Sequence, residues 1–100
     1  MNETLKLSIS NKFRNTEMGF IRIKKNLGIT NLSDDETEIY LKEIILSTPI
    51  ENIESIGKNH YFKNIKYNAT LTVNSHTFTI ITAKQVEKAY NKYKETNNLP

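Results

Sequence analysis

A chain of 100 residues with a formal net charge of +3 has room for one modest hydrophobic core and not for two. Apolar residues make up only 37% of it, yet they recur periodically, as in a folded domain rather than a disordered segment. Cysteine is absent, which excludes a disulfide framework, a thiolate zinc site and a cysteine nucleophile, and fits a reducing compartment. No apolar run approaches the roughly 18 residues of a membrane span, and no signal-peptide pattern opens the chain. The expectation is a soluble, cytoplasmic single domain over residues 1–100, with no membrane partner.

Residues 3 to 13 fit two patterns. Leu5, Leu7 and Ile9 alternate as a strand would, while Leu5, Ile9 and Phe13 recur at helical spacing; a short helix is expected. Asn15 or Thr16 can cap a second helix over about 16 to 27, in which Phe20, Ile23 and Leu27 share a face and Gly28 closes the end. Ser33-Asp34-Asp35-Glu36 has the form of a capping box. It opens a third helix, about 34 to 47, with Tyr40, Leu41, Ile44 and Ile45 as its buried stripe and Pro49 as its stop.

Four strand-like runs follow: Ile50 to Ile56, His60 to Phe62, Ile65 to Val73 and Thr77 to Ala83, with breaks at Gly57-Lys58-Asn59, Lys63-Asn64 and Asn74-Ser75-His76. Thr82 and Gln85 could form another capping box, opening a final helix over about 84 to 95. Helices first, then an antiparallel meander and a closing helix, make an α+β domain. Phe78, Ile80 and Thr82 are expected on one face of the last strand, and Ile44, Ile45, Leu71, Val73, Phe78 and Ile80 in one core.

Charge is segregated along the chain. Residues 12 to 25 carry five basic side chains against Glu17, whereas residues 34 to 54 carry seven acids against Lys42. Such an arrangement steers a polyanion to one surface. Arg22, Lys24, Lys25, Lys58 and Lys66 are the basic residues expected to converge there.

Standard catalytic motifs are missing. Two histidines sixteen apart, without cysteine or a nearby carboxylate, fall short of a metal site, and no cofactor is expected. Gly57-Lys58-Asn59 lacks the rest of a phosphate-binding loop, and no Gly-x-Ser-x-Gly elbow is present. What remains is a polar set on the strands: Lys58, His60, Tyr61, His76, Thr77, Thr79, Thr82 and Lys84. Cleaving RNA without a metal needs a base, an acid and a cation around one phosphate, and an aromatic ring can stack on an unpaired base. The plain alternative is a sheet whose outer face is merely polar.

At these residues a resemblance enters. GKNHYF, LTVNS and TFTIITAK resemble the Gly-Lys-Asn-aromatic-Tyr, Ile-Thr-Val-Asn and Tyr-Thr-Ile-Ile-Thr-Ala elements of an uncharacterised family of small bacterial proteins. The upstream TEMGFIRIKKNLG resembles that family's Thr-Glu-Leu-Gly and Arg-Ile-Lys-x-Asn-Leu segment, so the likeness spans about residues 13 to 85. It implies membership but no activity. Lys84 stands where the family often has histidine.

The order of elements is also similar to the barnase/RelE/colicin-type ribonuclease toxins. That likeness implies Lys58, His60, His76 and Thr82 as candidate catalytic residues, with Thr79 beside them. Arg22, Lys24, Lys25, Tyr61, Lys66, Thr79 and Lys84 are the candidate contacts to nucleic acid or a partner. Two readings result. One is an RNA-directed module, extending to a metal-independent ribonuclease of the toxin kind. The other is a non-catalytic inhibitor of phage or mobile-element origin that blocks a partner's nucleic-acid site.

Overall fold

A computed structural model describes residues 1–86. Three helices come first: α1 (Glu3–Lys12), α2 (Glu17–Leu27) and α3 (Asp34–Ser47). The strands β1 (Ile53–Ile56), β2 (Asn59–Asn64), β3 (Ala69–Asn74) and β4 (Ile80–Gln85) follow and pair as an antiparallel meander in chain order. The α+β architecture and the helix in the first segment are as expected. Of the expected final helix, Lys84 and Gln85 belong to β4, and everything from residue 87 lies outside the described residues.

Each helix begins on a side-chain cap. Asn2 accepts a hydrogen bond from the Leu5 amide, Thr16 from Gly19, and Ser33 and Glu36 exchange the two bonds of a capping box. Gly28 closes α2 in the left-handed region at φ 70°, donating to the carbonyls of Lys24 and Lys25.

The end of α3 is closed from a distance. It has neither a glycine nor a basic residue in its last turn. Instead the buried Asn64 of β2 donates through Nδ2 to the Ile44 carbonyl, Ser47 Oγ and Thr48 Oγ1, each at 3.0 Å. The Lys6 ammonium, reaching across from α1, donates to the carbonyls of Leu46 and Thr48 at 3.1 Å. Orphan carbonyls at a buried helix end need such donors.

Ile9, Ile23, Leu27, Leu41, Ile44 and Ile45 of the helices pack on Ile53, Phe62, Leu71, Val73, Ile80 and Ala83 of the sheet. Five of the six residues expected in the core are fully buried; Phe78 is half-buried against them. The helices therefore cover one sheet face.

The strand limits differ from expectation for local reasons. Pro49 and Asn52 close a single turn of 3₁₀ helix over Ile50–Asn52, which delays β1 to Ile53. Lys63 and Asn64 continue β2 rather than break it. The turn falls at residues 65–68, where Asn64 Oδ1 accepts from the Tyr67 amide at 2.9 Å and Asn68 takes φ 52°. Gly57, at φ 59°, begins a two-residue hairpin with Lys58, since Ile56 pairs with Asn59.

The fourth strand starts later than expected. Asn74 Oδ1 accepts from the amides of His76 and Thr77, winding residues 75–79 into a loop. Phe78 closes that loop at φ 59°, a conformation that costs an ordinary residue roughly 1–2 kcal/mol. Its amide bonds the Asn74 carbonyl, and its own carbonyl accepts from the Arg14 amide, which holds it there.

β4 then carries a bulge. Val73 pairs with Ile80 but Thr72 with Thr82, so Ile81 is the extra residue. The bulge reverses the phase: Ile80 and Ala83 point inward, and Thr82 lies outward opposite Thr72 rather than sharing a face with Ile80. Thr82 therefore sits within a strand and caps no helix. The outer edge of β4 is occupied: Arg14 bridges to Thr79, and Asn26 Nδ2 of α2 donates to the Ala83 carbonyl at 3.1 Å.

Candidate nucleic-acid interface

The register sorts the candidates onto two faces and one end of the sheet. Ser55, His60, Val73 and Ile80 form an inward row. His60 is buried there, and its Nδ1 shares a 2.7 Å hydrogen bond with Ser55 Oγ. Burial, helped by the chain's N-terminal ammonium, holds its pKa below the ordinary imidazole value. His60 thus lies on the face opposite Thr82 and two strands away from it. The candidate catalytic residues Lys58, His60 and Thr82 are not brought together, because β2 turns His60 inward while the β4 bulge turns Thr82 outward.

Lys58 and His76 do become neighbours. Both are exposed, Lys58 at the tip of the β1–β2 hairpin and His76 in the β3–β4 loop. The two tips are tied together by the Ser75 amide, which donates to the Lys58 carbonyl at 2.8 Å.

The outward rows are Ile56, Asn59 and Asn74; then Glu54, Tyr61, Thr72 and Thr82; then Lys63, Thr70 and Lys84. No described element covers them. Tyr61 is half-buried amid its neighbours, whereas Lys63 and Lys84 are exposed. Beyond Lys84 a groove of about 490 Å³ is lined by Lys25, Asn26, Gly28, Lys84 and Gln85. A second, of about 470 Å³, lies on the β1 side, where Glu51 and Glu54 face Tyr61 and Lys63. The face is thus acidic along β1 and basic from β2 to β4.

The five basic residues expected on one surface are dispersed. Lys24 pairs with Asp34 at 3.3 Å and lies over the Phe20 ring, 5.8 Å from its centre. Lys66, in the β2–β3 turn, lies 5.6 Å from the centre of the Tyr67 ring, at the same end as Lys63 and Lys84. Lys25 reaches the groove beside Lys84, Arg22 is exposed on α2, and Lys58 stands at the opposite end of the sheet. Thr79 Oγ1 accepts from Thr77 Oγ1 at 2.8 Å within the loop.

Lys63, Thr70 and Thr72, not among the expected contacts, complete the outer face. For Lys63 the signal was the two-residue period running through Tyr61, hidden by the break assigned at Lys63-Asn64; for Thr70 and Thr72 it was their alternation with Leu71 and Val73. Among the described residues, no group of three or more His, Cys, Asp or Glu side chains could hold a metal ion, and no helix is long and apolar enough to cross a membrane.

Fold and surface together define a small α+β protein with one sheet face packed under helices and the other bare of any described element. The chain belongs to the DUF3781 family, described as a protein of unknown function, whose family model matches residues 7–84. Every candidate residue falls inside that span. No curated protein and no solved structure matches the chain.

Proposed function

We propose that this protein is an RNA-directed binding module, taking unpaired RNA on the outer face of β2, β3 and β4, without cleaving it. One observation carries the reading: that face holds Tyr61 among threonines with lysines beside it, and none of its strand residues is a carboxylate. A flat aromatic surface flanked by ammonium groups suits stacked bases and their phosphates. Glu51 of the 3₁₀ turn and Glu54 of β1 repel the same ligand and bound the site on that side.

Binding is favoured over cleavage because the candidate groups are divided. His60 is buried on the inner face, Thr82 is on the outer face, and Lys58 with His76 occupies the hairpin tips. Metal-independent transfer requires base, acid and cation around one phosphorus. The inhibitor reading draws on the exposed acids of α3, among them Asp35, Glu38 and Glu43, which resemble a row of phosphates.

Fluorescence anisotropy with a labelled single-stranded RNA tests the proposal. Tyr61→Ala should weaken binding by about 1–3 kcal/mol for one stacked base. Lys63→Ala and Lys84→Ala should each lower the slope of log affinity against log salt by about one unit. Affinity indifferent to salt and to all three substitutions would overturn it. Incubation with total RNA in EDTA, with His60→Ala/His76→Ala as control, tests cleavage directly; intact RNA is expected.

A further inference from the structure

The outer face has a direction as well as a sign. Its groups able to donate to a phosphate from lysine or histidine lie at the two ends of the strands and not in the middle. At one end are Lys63 and Lys84, in register through Thr70, with Lys25 across the adjoining groove and Lys66 in the neighbouring turn. At the other end are Lys58 and His76, on hairpin tips held together by the Ser75 amide and the Lys58 carbonyl. Between them lies the uncharged row of Tyr61, Thr72 and Thr82. Lys63 lies five positions after Lys58, so by the strand rise the two ends are roughly 17 Å apart, while β2 to β4 spans only about 10 Å.

We infer that a single strand runs parallel to the β-strands, its phosphates anchored at both ends and a base stacked on Tyr61 between them. The site is accordingly short, about four nucleotides, the small end of the range for sheet-borne single-strand binders. A double helix is excluded as the preferred ligand, because its bases are already stacked and cannot lie against the ring. The tip cluster thereby acquires a role in binding: Lys58 and His76 hold the phosphate at the far end of the strand.

The inference rests on the RNA reading above, and the experiment separates the two. Affinity is measured for uridine oligonucleotides of two, four, six and eight residues with the wild-type protein and with Lys58→Ala/His76→Ala. Both substituted side chains are exposed, and unchanged circular dichroism verifies the fold. For the wild type, affinity should climb at least tenfold from two to four residues and then flatten. In the double variant that climb should be largely lost, while the dinucleotide, which reaches the lysine end alone, should bind as before. A steady climb through eight residues, or the same length profile in the variant, would overturn the short track while leaving RNA binding standing. An RNA duplex bound as tightly as the single strand would also overturn it. Absence of binding at every length would remove the RNA reading itself.

Discussion

Asn64 ties β2 to the end of α3 and to the β2–β3 turn through one side chain. It is buried, closes the end of α3 through its amide, and orders the β2–β3 turn through its carbonyl. Asn64→Ala would remove the amide donor shared by the Ile44 carbonyl, Ser47 Oγ and Thr48 Oγ1, leaving Thr48 Oγ1 bonded only to the Ile44 carbonyl, and would leave the half-buried Tyr67 amide without its acceptor. Each net hydrogen bond is worth about 1 kcal/mol and an unsatisfied buried group costs about 1–3. A loss of about 2–4 kcal/mol in a urea titration is expected, and a loss below about half a kilocalorie would show that these bonds carry no stability.

His60 makes the second residue-scale prediction. Its folded pKa is depressed, so the unfolded chain binds the proton more readily than the folded one. Above pH of about 6.5, the ordinary imidazole value, its full contribution is present. As pH falls through that value toward the lower folded pKa, stability declines. Glu36, lowered by its capping bonds to Ser33, acts in the separate carboxylate range. The denaturation midpoint should therefore fall between pH 7.5 and 5.5, and the fall should be smaller in His60→Gln. An unchanged wild-type midpoint would contradict the assignment.

At the scale of elements, the bulge at Ile81 decides which side chains of β4 are inside. Leu71→Ala, opposite Ala83 in the core, should cost about 2–5 kcal/mol. Ile81→Ala should cost under about 1 kcal/mol, because the side chain is 45% exposed at the bulge. Equal losses in the two thermal melts would place the bulge elsewhere. The helices were legible because their caps and stripes are local: Ser33 with Glu36, Thr16 with Gly19, Leu41 with Ile44 and Ile45. The strand limits were not. Asn64 looks like a turn residue until its partners on α3 are known, and Phe78 gives no sign of a left-handed conformation that its neighbours impose. Thr82 and Gln85 match a capping box by spacing alone, and cross-strand pairing with Thr72 and Ala69 overrides it. Misplaced limits led in turn to His60 and Thr82 being grouped although they lie on opposite faces, since side-chain direction depends on strand phase.

At the scale of the whole molecule, charge follows layer and edge. Most of the acids gather on α3 and around β1, while Lys58, Lys63, Lys66 and Lys84 stand at the ends of the sheet. The linear charge blocks made segregation visible but not its geometry: Lys24 pairs with Asp34, whereas Lys63, in a stretch assigned to a break, stands in register with Lys84 through Thr70 at one end of the sheet. The α3–β2 tie through Asn64 and the α1–α3 tie through Lys6 both lie under the sheet, so the open face contributes little to the core. Substitutions at Tyr61, Lys63 and Lys84 should accordingly change ligand affinity with melting temperature almost unmoved, which differential scanning fluorimetry can check. A drop of more than a few degrees would mean that this face is structural.

The two margins of the sheet are unequal. β4 has Arg14 and Asn26 along its outer side, whereas among the described residues β1 has β2 as its only strand neighbour. Strand-by-strand growth needs two open margins on every copy, one to receive and one to offer. With a single margin left open by the described residues, two copies joined through β1 would leave none for a third. Any assembly through these sheet margins alone must therefore stop at a pair.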